Sequence, residues 1–250
     1  MNDRCKNLQR LLCSSAIFSL LAVGLNGGPL FAQMGAMGQS GMLQQKLAKI
    51  KASTAENQQK LHRYTWTETS RITINGNARP AKEFTCSYGA DGKVQKVPLG
   101  GSEETANEGG RRGRFRQRII QKKTAEMKDY MKQVGGVIAL YMPPNPHKMQ
   151  QAFQAKKVSF QRGEGLAKLV FKNYAMPGDS MTIGFDTAAK KIRTVDVKTY
   201  LNNPQDGITL RVEFSTLPDG TNHPARTVLD AQAKNIHVVN TNSNYRKTYQ

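Results

Sequence analysis

From Lys157 to Asn242 the chain alternates apolar and polar residues in short runs, and no helical pattern falls between them. The runs are Lys157 to Gln161, Leu166 to Tyr174, Ser180 to Asp186, Lys191 to Leu201, Ile208 to Ser215, Ala225 to Ala233 and Asn235 to Asn242. Turn signals part them, among them Pro177-Gly178-Asp179, Asp186 to Ala189, Asn202 to Gly207 and Pro218-Asp219-Gly220. Successive side chains of a strand point to opposite faces, so each run offers one apolar face. Parallel neighbours need a long crossover between them, and these connections are too short for one. This half of the chain therefore predicts a continuous antiparallel sheet.

Three more strands precede it. Tyr64 to Ile74 begins with alternating aromatic and polar residues, Asn75-Gly76 is a tight-turn signal, and Lys82 to Tyr88 returns. Ala90 to Lys93 turns again into Val94 to Leu99. A sheet of about ten strands must curl or split. Helical spacing appears in three places. Leu43, Leu47, Ile50, Thr54 and Leu61 mark an amphipathic helix from Gly41 to about His62. Ile120, Met127, Tyr130, Met131, Val134 and Ile138 mark a second, which ends at Pro143-Pro144-Asn145-Pro146. Asn145-Pro146 then caps a third, to about Lys156. Between the early strands and the second helix, residues 100–118 read as a disordered Gly/Arg insert ending in Arg111, Arg112, Arg114, Arg116 and Arg118. With no internal repeat and no second core, residues 42–250 make one α+β domain. It is a strongly curved antiparallel sheet, a half-barrel, with an N-terminal helix and two inserted helices.

The N-terminus reads as an export signal. Arg4, Lys6 and Arg10 form a basic head, Leu11 to Leu25 an apolar run, and Leu30-Phe31-Ala32 a peptidase site, so that residues 1–32 are removed after Ala32. The run falls short of the roughly 20 apolar residues that cross a bilayer, and no stable transmembrane segment is expected after cleavage. Residues 33–41 are a flexible lead-in. The mature protein is then periplasmic or secreted.

Charge narrows the partners. The chain carries 37 Lys and Arg against 18 Asp and Glu, a net +19, which favours anionic surfaces and polymers. In an exported protein these are membrane headgroups or acidic envelope polymers, and no nucleic acid is expected. Catalytic signals are lacking. His62, His147, His223 and His237 lie far apart with no metal-ligand spacing, and no nucleophile elbow or phosphate loop occurs. No catalytic residue, metal or cofactor is assigned. Cys86, alone after processing, reads as a small buried hydrophobe.

The order of elements, namely the Leu43–Leu61 helix, the Tyr64–Leu99 meander, the Ile119–Phe153 helices and the strands from Gly178-Asp179-Ser180 to Tyr245-Arg246, resembles the lipoprotein-carrier superfamily of LolA/LolB-like periplasmic proteins. That resemblance implies an unclosed barrel with a helical lid sheltering acyl chains of a lipid or lipoprotein. On it, Tyr64 and Trp66 share one face of the first strand, whereas Phe84, Cys86 and Tyr88 are not assigned to that face. Phe171, Met181, Ile183, Phe185, Leu210, Val212 and Phe214 line either an apolar cleft or an ordinary core. Met127, Met131, Ile138 and Phe153 face them from the lid. Arg111, Arg112, Arg114, Arg116, Arg118, Lys122 and Lys123 are candidates for docking on an anionic membrane. A filled core with a basic surface that binds anionic polymer or headgroups is the alternative; an exported hydrolase ranks third.

Overall fold

The computed structural model describes residues 55–100, 111–163 and 165–248, with Ala48 and Ala52; of residues 111–117, Ile119 and Pro146 only the backbone is described. The proposed signal, the lead-in and most of the first helix fall outside these residues. Of that helix, α1, residues 55–61 are seen, and Leu61 at its end is buried.

The strands are β1 (Tyr64–Ile74), β2 (Asn77–Ala78), β3 (Lys82–Tyr88), β4 (Val94–Leu99), β5 (Val158–Arg162), β6 (Leu166–Lys172), β7 (Ser180–Asp186), β8 (Lys191–Tyr200), β9 (Gly207–Thr216), β10 (Asn222–Ala231) and β11 (Ile236–Lys247). They form one antiparallel sheet in the order β4-β3-β1-β11-β10-β9-β8-β7-β6-β5, with β2 paired to β1. The predicted strands are present, several with shifted ends. At Asn75-Gly76 both residues take positive φ, 51° and 77°, the conformation that a two-residue hairpin turn needs and that Asn and Gly reach at least cost.

The sheet is curved and does not close, because β4 and β5 are its two edges. The segment between them holds the other helices, α2 (Arg111–Ile138) and α3 (Pro146–Gln154). This helical excursion therefore leaves one edge of the sheet and returns at the other. α3 starts as its sequence indicates: Pro146 stands in the first turn, and Asn145 Oδ1 accepts from the backbone N–H groups of His147 and Lys148 at 2.9 and 3.3 Å. One expectation needs correction. Residues 111–118, assigned to the disordered insert, belong to α2; a stretch rich in arginine has ample helix propensity, and the single Gly113 does not break it.

The core is divided along the inner face. The larger cluster packs Tyr130, Val134 and Ile138 of α2, the following Tyr141, and Met149 and Ala152 of α3 against inward residues of β6 to β11. At the other end a smaller cluster joins Trp66, Phe84, Cys86 and Val94, with Tyr88 and Tyr245 partly buried beside them. Phe84, Cys86 and Tyr88 thus do share the face of Trp66.

Candidate functional site

Period-two alternation brings most of the candidate lining residues together. Phe171, Met181, Ile183, Leu210, Val212, Phe185 and Phe214 converge beneath Met127, Met131 and Ile138 of α2. Phe153 is half-buried on α3 and stands outside that cluster. Phe171 and Met181 have no exposed surface, so in this conformation protein atoms fill the space in front of them. Tyr64 and Trp66 are also buried but lie at the far end, Trp66 within the smaller cluster and Tyr64 edge-on to its Tyr245 at 6.2 Å.

Two buried tyrosines tie the helical layer to the sheet's loops. Tyr130 donates to Asp206 Oδ1 at 2.8 Å, at the β8–β9 turn. Tyr141 donates to Asp179 Oδ2 at 2.5 Å, and with its own proton so placed it accepts from Thr199, 2.8 Å away. Asp179 also accepts the backbone N–H groups of Tyr174, Ala175 and Met176. Burial first, and the neighbouring carboxylate second, hold both tyrosine hydroxyls far above their ordinary pKa. Tyr174, pushed up to about 12 mainly by burial, receives the Asn145 N–H at 2.8 Å and so ties the start of α3 to the same turn. Residues 120–126 of α2, in contrast, are exposed on every side. Arg118, Lys122 and Lys123 are exposed there, and Ile120 keeps 56% of its surface in solvent. The side chains of Arg111, Arg112, Arg114 and Arg116 lie outside the described atoms.

Between the two apolar clusters runs a polar band that the alternation did not announce. Glu68 stands directly opposite Asn242, and Ser70 opposite Asn240, in the β1–β11 register. All four are buried on the inner face. Lys96 of β4 reaches Glu68 at 2.6 Å, with side-chain exposures of 5% and 1%. Trp66 Nε1, Asn240 Oδ1 and Asn242 Oδ1 are buried without a hydrogen-bond partner.

A bulge shapes the end of this band. The β1–β11 register slips between Thr65 and Thr67, so Trp66 opposes both Asn244 and Tyr245. Asn244 takes φ 54°, a left-handed conformation that Asn tolerates better than most residues. The extra residue reverses the parity of β11: Asn242 faces inward before it, Tyr245 after it. Tyr245 consequently stacks on Trp66 at 5.5 Å and 11°, while Tyr88 leans on Trp66 from the other side at 5.4 Å. His62, just past α1, stacks on Tyr88 at 4.4 Å, and His223 meets Tyr245 at 4.1 Å. Burial lowers the pKa of His223. Tyr64 donates to Asp219 Oδ2 at 2.6 Å, and Lys247 reaches the same oxygen at 2.9 Å. The Tyr64 hydroxyl, then Lys247 and the Thr221 N–H, hold Asp219 well below the usual carboxylate range.

Other chemistry finds little support. Among the described residues no group of three His, Cys, Asp or Glu side chains could hold a metal. His237 lies 2.6 Å from Asp230, with Thr209 Oγ1 3.5 Å from that carboxylate. This order puts the carboxylate rather than the imidazole in the middle, the reverse of what an activated nucleophile requires. No described helix is long and apolar enough to cross a membrane.

No protein-family model and no curated protein sequence matches the chain. Among solved structures the chain is similar to two over most of their length. One is a LolA superfamily protein from Nitrosomonas europaea, 9% identical, with 83% of this chain and 94% of that one covered at a TM-score of 0.39. The other is a DUF1329 family protein from Desulfovibrio piger, 10% identical, with coverages of 80% and 92% and a TM-score of 0.36. The resemblance is one of architecture, an open antiparallel sheet.

Proposed function

We propose that this protein is an exported, periplasmic binding protein that holds an acyl chain, of a lipid or of a lipid-modified protein, between its sheet and the α2–α3 layer, without catalysis. The observation that carries the reading is the way this layer is attached. It crosses an open sheet from edge to edge, and its polar ties are discrete bonds: Tyr130 and Tyr141 donate to carboxylates of sheet turns, and the Asn145 N–H donates to Tyr174 of the β6–β7 turn. Beneath these ties the contact is apolar and rich in methionine, with Met127, Met131, Met142 and Met149. Methionine adapts its shape at little cost, as a surface that closes alternately on itself and on a ligand requires. The test is native mass spectrometry of the exported protein purified without detergent, with lipid extraction after denaturation. Acyl species that leave on denaturation support the reading. A clean apo mass, unchanged after incubation with phospholipid or lipopeptide, removes it.

A second reading has its own observation. The outer half of α2 projects Arg118, Lys122 and Lys123 beside exposed Ile120, a combination suited to an anionic membrane surface. It serves as the docking contact of a carrier, or stands alone if the core is permanently filled.

A further inference from the structure

We propose that the polar band of the inner face is a head-group subsite for the uncharged, hydroxyl- or amide-bearing head of an amphiphile whose chain lies under α2 and α3. The proposal rests on the acyl-chain reading above and adds a head chemistry to it.

Three unpartnered atoms define the subsite: Trp66 Nε1, Asn240 Oδ1 and Asn242 Oδ1. Trp66 is 5% exposed, Asn240 5% and Asn242 8%. The orientation of Asn242 is set, because its Nδ2 donates to Pro224 O at 2.9 Å and leaves Oδ1 as the idle end. Glu68 lies across from Asn242, and Ser70 across from Asn240. Same-face neighbours along a strand are about 7 Å apart, and adjacent strands lie about 4.8 Å apart. Asn242 therefore stands one same-face step from Asn240 on one side and from Trp66 on the other, so a small head seated at Asn242 is flanked by both. Buried polar atoms without partners weaken a fold, and three in one patch, with leucine or phenylalanine as ready replacements, point to a partner that arrives from outside. A fourth, Thr221 Oγ1, sits in the turn before β10 and is not part of the patch.

The donor and acceptor pattern selects the head. Two idle carbonyl oxygens require N–H or O–H donors, and one idle indole N–H requires an acceptor. Glu68 and Lys96, 2.6 Å apart, cancel each other's charge, so the patch offers no net attraction to an ion. Phosphate or carboxylate oxygens would find one idle donor, the Trp66 N–H, and would face two carbonyl oxygens that they can only repel. A glyceride hydroxyl or an acyl amide satisfies both requirements. The exposed cations of α2 favour anionic headgroups, so membrane contact and cargo recognition fall on different surfaces. α1 closes this end: Asn57 exchanges two hydrogen bonds with the Asn222 backbone, and His62 covers Tyr88.

The experiment is calorimetric titration of the full chain, produced in an exporting host and stripped of lipid. Its four probes share a similar chain: monooleoylglycerol, oleamide, oleate and oleoyl-lysophosphatidylglycerol. Trp66 is the single tryptophan of the chain, so its emission reports whether the head arrives. The two neutral probes should bind about tenfold or more tighter than the anionic ones and shift Trp66 emission. Their ranking separates a hydroxyl head from an amide head. Trp66→Phe and Asn240→Leu should each cost the neutral probes about tenfold, leave the anionic probes unchanged and leave thermal stability the same or higher. If Asn240→Leu does not fold, Trp66→Phe, which keeps an aromatic ring, carries the test. Four probes binding equally, or variants that leave the ranking intact, overturn the head-group subsite alone. Binding of no probe overturns it together with the acyl-chain reading.

Discussion

Tyr141, just beyond the end of α2, donates its hydroxyl proton to Asp179, a carboxylate that simultaneously gathers three backbone N–H groups of the β6–β7 turn. One side chain thus couples the position of the helical layer to the conformation of a sheet loop. Tyr130 makes the corresponding bond to Asp206. Tyr141→Phe and Tyr130→Phe should each lower stability by about 2 kcal/mol, the worth of a hydrogen bond to a buried charged group. Hydrogen exchange of the α2 amides should rise more than that of β8 and β9. A uniform rise across the sheet would mean that the bonds support the whole fold and do not latch a lid.

The Glu68–Lys96 pair should behave as a buried charge pair does. Lys96→Met strips a carboxylate that is 1% exposed of its cation and should cost about 3–5 kcal/mol in chemical denaturation. Adding Glu68→Leu to that variant should recover most of the loss. A single variant as stable as the parent would show that groups other than Lys96 hold Glu68.

The Asp219 cluster predicts a loss of stability in acid. Its carboxyl pKa is depressed in the folded state, so its contribution is complete above the unfolded value of about 3.9 and disappears as pH falls through the folded one. The difference in melting temperature between the parent and Asp219→Asn should be constant from pH 7 to about 5 and shrink below about pH 4. A difference that shrinks already near pH 6 would point to another group.

His223 acts in a higher window. Burial lowers its folded pKa, so its contribution is complete above about 6.5 and is lost as pH falls below that. Because His223 touches Tyr245, which stacks on Trp66, Trp66 emission should follow the change. His223→Gln should flatten the stability profile between pH 7 and 5; an unchanged profile would assign the step elsewhere.

The bulge at Asn244 gives a conformational prediction. Asn244→Gly should be tolerated, whereas Asn244→Val, with a β-branched side chain at φ 54°, should cost about 1–2 kcal/mol. Trp66 emission should also shift as Tyr245 loses its place. If both variants match the parent, the bulge does not hold that ring.

Much of the fold was legible locally. Asn75-Gly76 announced its turn, Asn145-Pro146 its cap, and the alternation from Phe171 to Phe214 the inward residues of the sheet, because each depends on residues within a few positions. The site was legible only in part. Glu68 falls on the aromatic face of its strand by simple parity, yet nothing near it indicates that Lys96, on the second strand over, would neutralise it. Asn240 and Asn242 fall in the strand predicted from Asn235 to Asn242, but nothing in the sequence marks them as buried. Two other features were equally hidden: the parity reversal at Asn244, and the helical continuation of the arginine-rich segment.

The sequence by itself determined where strands, turns and caps lie, because backbone sterics and side-chain period act over a few residues. The tertiary structure alone decided that β1 pairs with β11, and with that pairing came the block of Glu68, Ser70, Asn240 and Asn242. Strand partners are chosen by burial of whole faces and completion of backbone hydrogen bonds across the sheet, and residues some 170 positions apart carry no local mark of each other.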